Sequence, residues 1–159
     1  MFRFPSHDPV DEKDVYAREH MIEYAHKTIE QTRKVVKELC GKNKITSERY
    51  VMNKPKQLLY DIIGRIDYET NKLFLELKTK PPKIVKKKGK DEYYFKKSEP
   101  LGDNSVFDAY WGQVAFYWKC TGKKPFLVLV NDKEYSSLPF FFTILGGLVL
   151  SSINTLSVS

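Results

Sequence analysis

The sequence predicts an α/β fold, a mixed β-sheet flanked by helices, and three observations carry that expectation. Apolar residues alternate through two short runs between positions 57 and 79, a helix with start and stop signals occupies 104–122, and a wholly apolar PFLVLV follows it directly. A run with that continuous apolar character suits an interior strand reached by a helical crossover.

Taken in chain order, the first element is a long helix over 15–39. Its apolar residues Val15, Ile22, Ala25, Ile29, Val36 and Leu39 form one stripe, read as the face turned to the core. Strands are expected over 48–52, 57–67 and 72–79. In the last of these, Leu73, Leu75 and Leu77 point one way while Phe74, Glu76 and Lys78 point the other, because strand side chains alternate. Glu69, Thr70 and Asn71 suit a tight turn, which folds the two runs into a hairpin and returns Glu76 towards Asp67. Asn104 or Ser105 can cap the second helix and Gly122 stands where it stops. On it, Gln113 and Tyr117 are four residues apart and share a face. A strand over 126–130 completes an α-β-β-β-α-β order.

The hairpin carries the chemistry. Asp67 and Glu76 are hard oxygen donors suited to magnesium or manganese, and the ammonium of Lys78 beside them can orient water and stabilise charge on a phosphate. The alternative is a solvated face that happens to carry a Glu and a Lys. The order Gly64-x-x-Asp67, a short gap, Glu76-x-Lys78-Thr79, then Gln113-x-x-x-Tyr117 on a helix ending in Thr121-Gly122 resembles the PD-(D/E)XK nuclease superfamily. More narrowly, it is similar to the branch that holds RecB-type nuclease domains and genome-maintenance exonucleases.

That resemblance implies a restriction-endonuclease-like core and a Mg2+- or Mn2+-dependent deoxyribonuclease, with no nucleotide cofactor. It implies an exonuclease acting on single-stranded DNA ends in repair, recombination or replication, with an endonuclease or a non-catalytic nucleic-acid-binding module as the alternatives. Residue by residue, it assigns Asp67 and Glu76 as metal-binding carboxylates, Lys78 as the catalytic lysine, the Leu77 carbonyl as a further metal ligand, and Gln113 and Tyr117 as supports of the site and the DNA backbone. Members of the branch also place a histidine on an early helix, commonly as His-x-x-x-Glu. His26 with Glu30 matches that pattern, with His20 and His7 as rivals. At about 100° per residue His26 lies about 40° from Ile22 on the apolar stripe, whereas His20 falls towards water, so His26 is preferred. Glu48, in a Ser-Glu pair at the start of the first strand, either supports the metal site or is a solvated carboxylate. Two departures stand out: the Pro of the nominal Pro-Asp is replaced by Ile66, and only eight residues separate Asp67 from Glu76.

Charge is concentrated. The chain of 159 residues has a formal net charge of +7, and between positions 78 and 97 nine lysines face only Asp91 and Glu92. Pro81, Pro82 and Gly89 argue against a regular helix there, so a mobile basic loop is expected. Lys80, Lys83, Lys86, Lys87, Lys88, Lys90, Lys96 and Lys97 offer phosphate contacts by counterion release, and Tyr93, Tyr94 and Phe95 offer rings for unpaired bases. The bland alternative is a solubilising loop whose rings fold back on the core.

Positions 1–135 are expected to form one domain, with 42% apolar content over the whole chain sufficient for a core. Cys40 and Cys120 read as reduced thiols, the N-terminus shows no secretory signal, and a cytoplasmic setting, in a host cell if phage-encoded, is expected. Positions 136–159 contain no charged side chain. They are read as a buried strand and helix, as an aberrant end such as a shifted frame or truncation, or as a membrane anchor of marginal length; Gly146, Gly147 and the Ser and Thr residues weaken the anchor.

Overall fold

A computed structural model describes residues 12–54, 56, 58–96, 105–145 and 148–153. Helix α1 (Glu12–Cys40) leads into three strands, β1 (Thr46–Asn53), β2 (Ile62–Glu69) and β3 (Leu73–Thr79). A small hairpin of β4 (Ile84–Lys86) and β5 (Tyr93–Phe95) precedes α2 (Ser105–Thr121). Strands β6 (Lys124–Val130), β7 (Tyr135–Leu145) and β8 (Leu148–Ile153) follow. The main sheet has the order β1-β2-β3-β6-β7-β8, antiparallel throughout except for the central β3–β6 pair, which α2 connects in parallel. The architecture is therefore α/β with a mixed sheet and two helices.

Both helices stop where a glycine enters the left-handed region. Gly41 has φ 57° and donates its N–H to the Lys37 carbonyl at 2.9 Å; Gly122 has φ 67° and donates to the Trp118 carbonyl at 2.7 Å. The tight turn between β2 and β3 is held by Thr70, whose backbone N–H donates to the Leu73 carbonyl at 2.8 Å. Its hydroxyl also accepts from the amides of Lys72 and Leu73 at 3.2 Å each.

The alternation read from β3 divides the core into two layers. Phe74 joins Val51, Ile66, Val114, Tyr117, Leu127, Leu129, Leu138 and Phe140 on the side covered by α2. Leu75 joins Val35, Cys40, Phe126, Val128 and Val130 on the side covered by α1, with Leu73 and Leu77 packed against them. Strand β6 is thus apolar on both faces, as a parallel strand between helices is, whereas β3 is apolar on its α1 side and carries Glu76 and Lys78 beside Phe74 on its α2 side. Phe74 is fully buried, a side chain whose truncation costs about 3–5 kcal/mol.

Three expectations are corrected. The apolar stripe of α1 reaches the core only at Val36 and Leu39: Val15, Ile22 and Ile29 are 42%, 64% and 47% exposed and Ala25 is exposed, while Tyr24, Thr28, Val35 and Cys40 are buried. The seam that docks is set by the Tyr24 hydroxyl, which donates to the Lys80 carbonyl at 2.8 Å, and by Thr28, whose hydroxyl is satisfied by its own helix at Tyr24 O. The basic segment is not an irregular loop but the β4–β5 hairpin, with Ile84 opposite Phe95 and Lys86 opposite Tyr93, braced by Lys86–Asp91 and Lys87–Glu92 ion pairs. The uncharged segment beyond position 135 contributes strands, not a helix, among the described residues: β7 pairs with β6, and its Leu138 and Phe140 are buried in the α2-side layer. No helix among the described residues is long and apolar enough to cross a membrane.

Gly64 shows why β2 lies so close under α2. A Cβ built there would stand 2.3 Å from Tyr117 Cε1 and 3.0 Å from Phe116 Cε1. Gly64→Ala is expected to push Tyr117 aside and to destabilise the fold by about 1–3 kcal/mol, the usual range for overpacking. A urea titration comparing the midpoints of the two proteins measures this directly.

Candidate functional site

Asp67, Glu76, Lys78, Gln113 and Tyr117 converge, and the sheet register explains how. The paired stretch of β2 and β3 is Tyr68 with Leu75 and Glu69 with Phe74; one step further along that register, Asp67 stands across from Glu76. There the Leu77 amide donates to Asp67 Oδ2 at 2.8 Å, so the Asp67 carboxylate is pinned to the strand that carries Glu76. Asp67 also sits where β2 changes face. Ile66 belongs to the α2-side layer and Tyr68 packs on the α1-side layer, although residues two apart on a regular strand share a face. Opposite this point on β1, Glu48 has φ 54°, the sole non-glycine positive φ among the described residues. Ser47–Tyr68 and Arg49–Ile66 pairs bracket it.

Glu76 is 2% exposed. Its Oε1 accepts from Lys78 Nζ at 2.6 Å, and Lys78 Nζ also donates to Gln113 Oε1 at 3.1 Å. Gln113 Nε2 in turn donates to the Tyr117 hydroxyl at 2.9 Å. That hydroxyl donates to the Arg65 carbonyl at 3.0 Å and accepts from the Arg65 amide at 3.2 Å. A chain of four side chains thus runs from β3 across α2 to β2, and the i, i+4 spacing of Gln113 and Tyr117 supplies its middle link. Tyr117 is buried, with its hydroxyl committed to the Arg65 backbone. Its contacts are thus with Gln113 and the β2 backbone.

The other oxygen of Glu76, Oε2, is buried without a hydrogen-bonding partner among the described residues. An unmatched buried carboxylate oxygen is costly, and such groups call for a ligand or a role. Burial pushes the Glu76 carboxyl above its ordinary range; the Lys78 hydrogen bond opposes this, the like charge of Asp67 adds to it, and Gln113 pulls weakly down.

Four residues of the neighbourhood, Tyr110, Glu69, Arg49 and Lys123, are not assigned to the site by the sequence. Tyr110, one turn before Gln113, places its ring 4.6 Å from Lys78 Nζ; the spacing of Tyr110, Gln113 and Tyr117 on one helix was the available signal. Glu69, 3% exposed, accepts from Arg49 Nη1 at 2.6 and 2.7 Å and from Lys123 Nζ at 2.6 Å. Burial raises the Glu69 carboxyl, but these two cations outweigh it and leave it below its ordinary range. With Lys123 also donating to the Thr70 carbonyl at 2.7 Å, this cluster ties the hairpin turn to the end of α2.

The histidine expectation does not hold. His26 and Glu30 are exposed on α1, and α1 packs on the opposite sheet face from Glu76 and Lys78. His20 instead borders a cleft with Glu23, Tyr24, Lys27, Pro82 and Phe95, its ring stacked on Tyr16 at 4.0 Å. Ile22 and Ile29, the stripe residues nearest His26, are themselves exposed, so closeness to that stripe does not bring His26 to the core. Glu48 is exposed and 3.7 Å from Arg65 Nη1. The hairpin lysines Lys83, Lys86, Lys87, Lys88, Lys90 and Lys96 are exposed and Lys80 is half-buried. Tyr94 is exposed, whereas Tyr93 is half-buried and Phe95 packs edge-on against Tyr16. His7 and Lys97 lie outside the described residues.

No family model matches the chain, and neither a curated protein nor a solved structure matches it.

The donor chemistry at the end of β2 and β3 fits a hard divalent cation in part. Asp67 and the unmatched Oε2 of Glu76 are anionic oxygens, yet among the described residues no group of three His, Cys, Asp or Glu side chains gathers to hold a metal. Two carboxylates, a backbone carbonyl and water suit magnesium, which keeps several waters when bound.

The raised Glu76 carboxyl predicts a signed pH dependence. Its protonated form favours the folded state below the ordinary value of 4.5, and that contribution is lost as pH rises through the elevated folded value. In metal-free buffer, the wild type is expected to lose stability relative to Glu76→Gln as pH is raised from 4 to 7. Thermal melts of both proteins across that range check the sign; parallel curves would remove the buried charge from the account.

Proposed function

We propose that this protein is a metal-dependent nuclease that hydrolyses phosphodiester bonds of DNA, built on a restriction-endonuclease-like core and acting as an exonuclease on single-stranded ends. The observation that carries this reading is the convergence of Asp67, Glu76 and Lys78 around a buried carboxylate oxygen that has no hydrogen-bonding partner among the described residues, with Gln113 holding the lysine. Supporting it, the β4–β5 hairpin leaves the strand that bears the lysine and exposes a run of cations and Tyr94.

Asp67 and Glu76, with the Leu77 carbonyl, would hold magnesium or manganese, which supplies Lewis-acid chemistry at the scissile phosphate. Lys78 is fixed at one point by two acceptors, so it can orient the attacking water and face the charge that develops on the phosphate without reorganising. Gln113 and Tyr117 act through Lys78 and the β2 backbone. The exposed lysines Lys86, Lys87 and Lys88 bind the phosphate backbone away from the reacting bond.

Lys78→Ala is expected to reduce cleavage by about a thousandfold or more, the scale of losing one preorganised charged group, with DNA binding retained and the fold kept at lower stability because Glu76 loses its cation. The test is end-labelled linear single-stranded DNA beside a closed circular counterpart, with magnesium or manganese and with EDTA. Metal-dependent loss of the linear strand alone supports the exonuclease. Cleavage of both substrates makes it an endonuclease, and binding without cleavage makes it a non-catalytic module. Neutralising Lys86, Lys87 and Lys88 together is expected to weaken binding and to flatten the log–log salt slope by about 2, at about 0.7 per phosphate contact on a single strand. Fluorescence anisotropy at several salt concentrations measures it.

A further inference from the structure

Helix α1 carries a second apolar seam that the body of the protein leaves bare. Val15, Ile22, Ile29 and Val36 recur at intervals of seven, and Ala25 falls between them. Val15, Ile22, Ala25 and Ile29 are exposed, and only Val36 turns towards the core. At about 100° per residue this seam lies about 120° round the helix from Tyr24, Thr28 and Val35, which dock on the sheet. Two stripes on one helix mean two partners. A β-branched residue at every seventh position is the knob pattern of a helix that packs against another helix.

The charges beside the seam identify the second helix. Glu12, Glu19, His26 and Arg33 also recur at intervals of seven, along one flank of the seam, and all four are exposed. The flank runs from acidic to basic along the helix. The whole of α1 repeats this gradient: positions 12–26 carry Glu12, Asp14, Glu19 and Glu23 against Lys13 and Arg18, whereas positions 27–40 carry Lys27, Arg33, Lys34 and Lys37 against Glu30 and Glu38. A helix with that gradient is complementary to itself when reversed. A parallel copy would set acid against acid.

We propose that α1 is the interface of a two-fold symmetric dimer, in which the α1 helices of two copies pack antiparallel along the Val15–Ile22–Ile29 seam. The axis passes close to His26, so that Glu19 of each copy faces Arg33 of the other and Ile22 layers against Ile29. An isologous contact of this kind closes on itself and leaves no surface open for further growth. The antiparallel helix dipoles add to the pairing. The interface lies on the sheet face opposite Glu76 and Lys78, so the proposal stands independently of the nuclease reading.

The experiment is sedimentation velocity of the full chain at several concentrations, with five variants. The wild type is expected to sediment at twice the chain mass at high concentration. Ile22→Glu, at an exposed position, should keep the wild-type circular dichroism while its dimer dissociation constant rises by about a hundredfold or more, because a charge is buried at the seam. Glu19→Arg and Arg33→Glu should each weaken the dimer, and the double exchange should restore it. His26→Cys should cross-link under mild oxidation, as residues near the axis do. A wild type that remains monomeric at about 100 μM, a bound state weaker than about −5.5 kcal/mol, overturns the proposal. So does an Ile22→Glu variant that dimerises as the wild type does, or a double exchange weaker than either single one.

Discussion

The arrangement around β3 depends on one buried negative charge. Glu76 lies in the middle of the sheet beneath α2, 2% exposed, and the cation that reaches it is Lys78, two residues along the same strand and on the same face. Burying a carboxylate costs several kcal/mol unless it is matched, and here the match is incomplete because Oε2 has no partner among the described residues. The fold tolerates this only because its surroundings are otherwise closely packed. Phe74 and Leu127 on the neighbouring positions are fully buried, and Gln113 fixes the lysine from above. A protein with no use for that charge would be more stable with an apolar residue in its place.

The position of α2 follows from the same constraint. Gln113 can reach Lys78 only if α2 lies low over β2 and β3, and that closeness is made possible by Gly64, where any Cβ would collide with Tyr117. Tyr117 then uses its hydroxyl to satisfy both the amide and the carbonyl of Arg65, backbone groups at the start of the segment that leads to Asp67. The break in alternation at Asp67, matched by the left-handed Glu48 across the β1–β2 pair, turns the Asp67 carboxylate to the Leu77 amide. The positive φ at one residue and the missing side chain at another thus serve the same end, the meeting of two carboxylates within a packed sheet.

Much of this was legible in the sequence because it rests on short periods. The two-residue period of β3 placed Glu76 with Lys78, the four-residue spacing on α2 placed Gln113 with Tyr117, and the turn chemistry of Thr70 returned one strand to the other. What failed was the choice between faces of α1. Hydrophobicity alone favoured the Val15–Ile22–Ile29 stripe, yet the docked face is built from Tyr24 and Thr28, whose polar ends are satisfied by the Lys80 carbonyl and by the helix itself. A polar side chain that finds its partner can be buried as readily as an apolar one, and single-residue hydrophobicity does not record partners. The choice of His26 failed with it. The β4–β5 hairpin escaped for a different reason: its cross-strand pairs, such as Val85 with Tyr94, are non-local, and the lysines between them dominate the composition.

The two sides of the sheet therefore place different demands on the chain. On the α2 side, distances between polar atoms must be held within hydrogen-bonding reach, and the packing there is continuous from Val51 to Phe140. On the α1 side the inner residues Val35 and Cys40 anchor the C-terminal part of the helix, while its N-terminal part is held through Tyr24 and through Tyr16 and His20 against Phe95 of β5. A 29-residue helix about 43 Å long, at 1.5 Å per residue, is longer than burial of its inner face requires. The excess length is where the regular Val and Ile spacing is exposed. Selection for the sheet alone would leave those positions free to become polar; that Val15, Ile22 and Ile29 are apolar while exposed fits the contact between copies proposed above.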